Sequence, residues 1–230
     1  MSYLLGKRKD HGVEEVRPSS VKLIILGSGL LWFGWFGFNA GSAGAANFIA
    51  ANALLVTNVA ACAGGLSWLL VEWYEEKRPT LIGCASGVIS GLVAITPAAG
   101  YVDTPAAIVM GLFGGIVGYI GVVKLKTLLG YDDTLDAFGI HGLVGIFGAI
   151  ATGIFANPAV DPSAVGALYG NWGQIGSQAV AMIVTIVFSA VATTIVFKLT
   201  TLITGGARVH EEHEDTGLDE AIHGEKGFNY

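Results

Sequence analysis

The chain has 230 residues, 53% of them hydrophobic and 13% charged, with a formal net charge of −6 and a mean hydropathy of +0.63. That is too apolar and too sparsely charged for an ordinary water-soluble domain. The charges lie outside long apolar runs, and both cysteines, Cys62 and Cys84, lie inside them, so a disulfide scaffold, a zinc site, a cofactor and a nucleic-acid partner are all unexpected.

Residues 1–19 form a polar, basic lead with Lys7, Arg8, Lys9 and Arg17, and do not read as a cleavable signal peptide. From Leu23 to Val71 no charged residue occurs. One bilayer span needs roughly 20 apolar residues, so this stretch holds two. The stretch Asn39-Ala-Gly-Ser-Ala-Gly-Ala-Ala-Asn47 divides it into helices over about 20–40 and 45–73. After Glu75-Glu-Lys-Arg-Pro79 a third helix runs about 79–97, with Gly83, Gly87 and Gly91 at intervals of four. Small residues at that spacing let another helix approach closely. A fourth helix, about 104–128, repeats the pattern with Gly111, Gly115, Gly114 and Gly118. The acidic turn 130–136 leads into a fifth span, uncharged from Ala137 to Val160 and carrying His141. A polar loop over 156–172 precedes a sixth helix at about 173–203, which Gly205-Gly206 ends. The expected architecture is an all-α polytopic membrane protein: a lead (1–19), six transmembrane helices (20–203) and a charged tail (204–230).

The loops alternate sides, and the basic residues take one of them. All 12 lysines and arginines lie in the lead, at the start of the first helix (Lys22), in the 75–79 and 124–126 regions, or at and after the end of the sixth helix, while 39–47, 97–103 and 156–172 carry none. This positive-inside pattern predicts cytoplasmic termini in a cell membrane.

His141 is the one histidine in an apolar run. An ionisable ring within hydrocarbon is costly and marks a functional candidate, although a lone histidine can also serve only as a helix–helix hydrogen-bond partner. The first helix ends in Leu31-Trp-Phe-Gly-Trp-Phe-Gly-Phe-Asn-Ala-Gly-Ser42. An interfacial aromatic belt is the plain reading. The alternative is a cation-recruiting vestibule: Trp35 and Phe38 share a helix face, Ser42 follows one turn on, and aromatic faces attract ammonium-type ions by roughly 0.5–2 kcal/mol. Asp133 and Asp136 are three apart and suit a helix N-terminus, a structural role rather than an ion site. Ser86 in Gly83-Cys-Ala-Ser-Gly87, together with His141, raises an intramembrane serine protease. Cys84 stands where such enzymes carry glycine, and the histidine precedes a Phe- and Ile-rich helix, so no enzymatic activity is expected.

Taken together, Trp32-Phe-Gly-Trp-Phe-Gly-Phe-Asn-Ala-Gly-Ser-Ala43, Ala94-Ile-Thr-Pro-Ala-Ala-Gly100, Asp136-Ala-Phe-Gly-Ile-His-Gly-Leu-Val-Gly145 and the tail from Gly217 to Tyr230 resemble the ammonium transporter family, in its microbial and plant branch. The resemblance implies that His141 is the second of two paired pore histidines and Phe38 one of two gating phenylalanines. It implies that Ser42 helps hold the incoming cation and that Trp35 lines the pore. It further implies ammonium and ammonia as substrates for nitrogen uptake, a homotrimer with a pore in each subunit, and a PII-type signalling protein as a cytoplasmic partner.

The family has eleven helices: two inverted five-helix repeats and a last helix. The chain resembles the second repeat and the last helix, without the first pore histidine, the outer tryptophan or the second gate phenylalanine. Leu4-Leu-Gly-Lys-Arg8 resembles the loop between the repeats. The expectation is therefore a fragment, or one half of a split transporter, that does not conduct alone. The alternative is a non-conducting interaction subunit that docks a PII-type protein through its tail.

Overall fold

The computed structural model describes residues 1–9, 11–12 and 18–227; Arg17 of the basic lead and Tyr230 of the tail motif lie outside the described residues. Every regular element among them is helical. Six long helices follow in order: α1 Val21–Gly41, α2 Phe48–Glu76, α3 Leu81–Ile95, α4 Thr104–Leu129, α5 Phe138–Phe155 and α6 Gly173–Thr204. Five are long and apolar enough to cross a membrane. The sixth, α3, is apolar but has 15 residues, short of the roughly 20 that a span needs.

The helix starts obey local chemistry. The first turn of a helix leaves backbone N–H groups without partners, and a side-chain oxygen just outside it supplies one. Ser20 Oγ accepts from Leu23 N (3.3 Å), Asn47 Oδ1 from Ala50 N (3.0 Å), Thr80 Oγ1 from Gly83 N (2.9 Å) and Asp103 Oδ1 from Ala106 N (3.1 Å). In α4 the cap is followed by Pro105, whose missing N–H costs nothing there.

The chain divides into two compact units, Arg17–Val184 and Met1–Val16 with Thr185–Tyr230. In the first, α2, α3 and α4 form a tightly packed trio. Small residues lie at its centre: Ala53, Ala60 and Ala107 are fully buried, beside the larger Val56, Met110, Leu92 and Ile95. Close approach depends on the glycines. A Cβ on Gly64 of α2 would lie 2.5 Å from the Gly87 carbonyl oxygen and 2.7 Å from Gly91 Cα, both of α3. By contrast α1 buries only Asn39, and α6 buries nothing, despite their apolar sequences.

The four-residue glycine spacing thus acts as a packing face, and the helices fall within about three residues of the ends expected from sequence. What periodicity did not reveal is a wider π-helical turn at Ile120–Leu125 within α4, and another at Phe138–Leu143 that opens α5. The two turns meet through glycine: a Cβ on Gly121 would lie 2.9 Å from Gly139 Cα. Backbone-to-backbone contact of this kind requires a residue without a side chain.

In the second unit the lead and tail are linked by charge. Lys9 Nζ pairs with Asp215 (2.6 Å), and Arg208 pairs with Glu214 Oε2 (2.7 Å) while also donating to the Lys7 carbonyl (2.6 Å). Glu214 lies in the short tail helix Glu211–Thr216.

Candidate functional site

The site is built around Trp35, in the last two turns of α1. Its indole lies near-parallel to the His141 ring, with centroids 6.5 Å apart and planes 13° from parallel. Phe38 meets the same indole edge-on at 6.0 Å. The indole is anchored: Nε1 donates to Thr96 Oγ1 at 2.7 Å, and that hydroxyl donates in turn to the Leu92 carbonyl at 2.7 Å. Three elements therefore converge: α1 brings Trp35 and Phe38, the turn after α3 brings Thr96, and the π-turn of α5 brings His141.

Phe38 also borders a cavity of about 310 Å³, lined by Asn39, Ser42, Thr96, Tyr101 and Asp161 among others. Ser42 Oγ donates to the Phe38 carbonyl at 2.6 Å, which leaves its oxygen lone pairs able to accept from a cation. Asn39 is buried and donates through Nδ2 to Thr57 Oγ1 at 2.9 Å. Phe38 borders both this polar cavity and a second, apolar hollow of about 320 Å³, which Leu30, Leu31, Gly34 and Trp35 line. Both Phe38 (61% exposed) and His141 present open faces.

Asp133 and Asp136 stand at the start of α5 and do different things. Asp133 Oδ2 accepts from Phe138 N at 2.9 Å. The half-buried Asp136 carboxylate is paired with Lys126, which also donates to the Asp133 carbonyl at 3.2 Å. Asp136 holds a left-handed backbone, φ +56°, which is uncommon outside glycine and best tolerated by Asp and Asn. Burial pushes its carboxyl above the usual range, against the opposing pull of Lys126.

Thr96, Asn39 and Asp161 were not singled out from sequence. The first was within reach, since it falls inside the Ala94-Ile-Thr-Pro-Ala-Ala-Gly100 motif. Asn39 stands in the aromatic motif, where its amide was hidden among larger neighbours. Asp161 belongs to a loop with no motif to mark it. Among the described residues no group of three or more His, Cys, Asp or Glu side chains could hold a metal ion.

Residues 1–228 match the model of the Ammonium Transporter Family. The chain is similar to an ammonium transporter of Bacillus subtilis, with 47% identity over 229 residues, 99% of this chain and 56% of that protein. It is similar in structure to Mep2 of Candida albicans, with a TM-score of 0.84 and 36% identity over 92% of this chain and 49% of that one. A sensor Amt protein gives a TM-score of 0.86 at 30% identity, over 96% of this chain and 55% of that one. The chain thus spans about half the length of the relatives it matches.

Proposed function

The chain belongs to the ammonium transporter family, and from that premise we propose that it forms one wall of a path for ammonium and ammonia across the cell membrane. Phe38 and Ser42 receive the cation at the outer mouth. Trp35 and His141 line the path beyond, where the substrate travels as ammonia. The observation that carries this reading is the Trp35–His141 stack, in which the imidazole faces the same indole that lines an apolar hollow with Phe38.

The physics favours that order of events. Moving a monovalent cation into a low-dielectric interior costs on the order of 20 kcal/mol before relaxation. Ammonium escapes the cost by leaving a proton behind, which potassium cannot do. A histidine suits the proton's acceptance or relay because its pKa lies near physiological pH. Selection then rests on chemistry, where ions of similar size would defeat a sieve.

The same reading assigns residues 1–19 to the cytoplasmic loop between repeats, 20–203 to the membrane and 204–230 to a cytoplasmic tail that meets a PII-type protein. The working unit is a homotrimer whose subunits also contain a first repeat. The test is methylammonium uptake into proteoliposomes. His141→Ala in a transporter complete with the first repeat should lower the rate by about 100-fold, the lower end of what a positioned proton acceptor contributes. An unchanged rate would sink the assignment of His141. Residues 1–230 alone should give no uptake above empty vesicles.

A further inference from the structure

The residues that receive the cation in this reading, Phe38 and Ser42, are uncharged. The cavity they border nevertheless has a charged wall. Asp161 of the 156–172 loop lines it, opposite no basic side chain: the loops 42–47, 96–103 and 156–172 contain no lysine or arginine.

Two features make this carboxylate more than a loose surface acid. First, its loop is fastened. Asn157 N donates to the Tyr101 carbonyl at 2.7 Å, and Asn157 Nδ2 donates to Asp103 Oδ2 at 3.0 Å. Asp161 N closes a turn back onto the Asn157 carbonyl at 3.2 Å, and Ala164 N bonds the Asp161 carbonyl at 3.0 Å. The loop is thereby tied to the segment that supplies Tyr101 and Thr96 to the same cavity. Second, Asp161 stays ionised. Ser163 N donates to its Oδ1 at 2.9 Å and holds the carboxyl below the usual range. The other acid on these loops, Asp103, is spent on structure: one oxygen caps α4 and the other takes the Asn157 amide.

We propose that Asp161 is a specificity-determining residue of the outer cavity, which concentrates monovalent ammonium-type cations over anions and neutral amines before they reach Phe38. A cleft lined by one sign of charge focuses its field and raises the local concentration of the opposite charge. One carboxylate about 6 Å from the ion in a watery mouth enriches it about threefold, and the effect fades at high salt because the Debye length is about 8 Å at 0.15 M. The inference rests on the function proposed above, since it names a further residue of that same path.

Two measurements test it. In proteoliposomes of the transporter complete with its first repeat, Asp161→Asn should raise the methylammonium KM about threefold at low salt with Vmax unchanged, and Asp161→Glu should restore it. The second needs no conduction. With Cys62 and Cys84 replaced by alanine, Ser42→Cys is treated with a cationic ethylammonium and an anionic ethylsulfonate methanethiosulfonate. Asp161→Asn should lower the ratio of the two reaction rates about tenfold, one threefold factor from each reagent. A KM and a rate ratio that both ignore Asp161→Asn would overturn the proposal while leaving transport intact. A protein that carries Asp161 yet moves no methylammonium would instead fail the transport reading, and the thiol ratio would still decide whether Asp161 sets the cavity's charge preference.

Discussion

Trp35 and His141 lie ring over ring, 13° from parallel, although one comes from the end of α1 and the other from the start of α5. The indole cannot rotate freely, because its N–H is held by the Thr96 hydroxyl. The position of a residue on the turn after α3 therefore sets the surface that His141 faces.

Thr96→Val tests that link. Valine keeps the shape and removes the hydroxyl, so the Trp35 N–H loses its partner in a half-buried place. An unsatisfied buried donor costs about 1–3 kcal/mol. The expected result is a lower melting temperature in detergent, with a shifted tryptophan emission and slower methylammonium uptake in the complete transporter. Unchanged melting and emission would mean that Thr96 does not hold the indole.

Gly91→Ala should damage the helix trio. A Cβ there would sit 2.8 Å from the Ala60 carbonyl carbon and 3.0 Å from Ala61 Cα. These are backbone atoms, and α2 must move as a whole to make room. Overpacking of this kind costs about 1–3 kcal/mol. Gly37→Ala is the control, since nothing lies within 4 Å of its added Cβ. Thermal melting of residues 1–230 in detergent should fall for the first substitution and hold for the second; equal melting would show that close approach of α2 and α3 is not needed.

Acid should loosen the second unit. The backbone N–H of Lys9 and the Arg208 guanidinium hold the Glu214 carboxyl below the usual glutamate range. A depressed folded-state value means that the unfolded chain binds the proton more readily. The stabilisation is therefore present above the ordinary glutamate value and is lost as pH falls through the folded one. Amide exchange in the tail helix Glu211–Thr216 should quicken at such acid pH, and Glu214→Gln should make it quick at neutral pH as well. Exchange that ignores the Gln substitution would remove Glu214 from this role.

Much of the architecture was legible from residues alone. A membrane span must be an unbroken apolar run whose backbone groups satisfy one another, so charge-free stretches marked the helices, while the structure showed Ser20, Asn47, Thr80 and Asp103 capping four of them. Glycines at intervals of four marked the packing face of α3. Trp35 and Phe38 shared a face because helical residues three apart always do.

Tertiary structure decided the rest. No local period relates Trp35 to Thr96 or His141, since each lies on a different segment and only helix packing brings them together. The π-turns at Ile120–Leu125 and Phe138–Leu143 meet through Gly121 and Gly139, a contact that exists only once α4 and α5 touch. Asp161 became a wall of the cavity beside Phe38 and Ser42 because Asn157 ties its loop to Tyr101 and Asp103. Apolar periodicity and capping chemistry act within a few residues of chain, and so the sequence by itself determined which segments are helices. Ring stacking, glycine contact and a carboxylate's place beside a cavity depend on separations across the fold, which only the packed structure supplies.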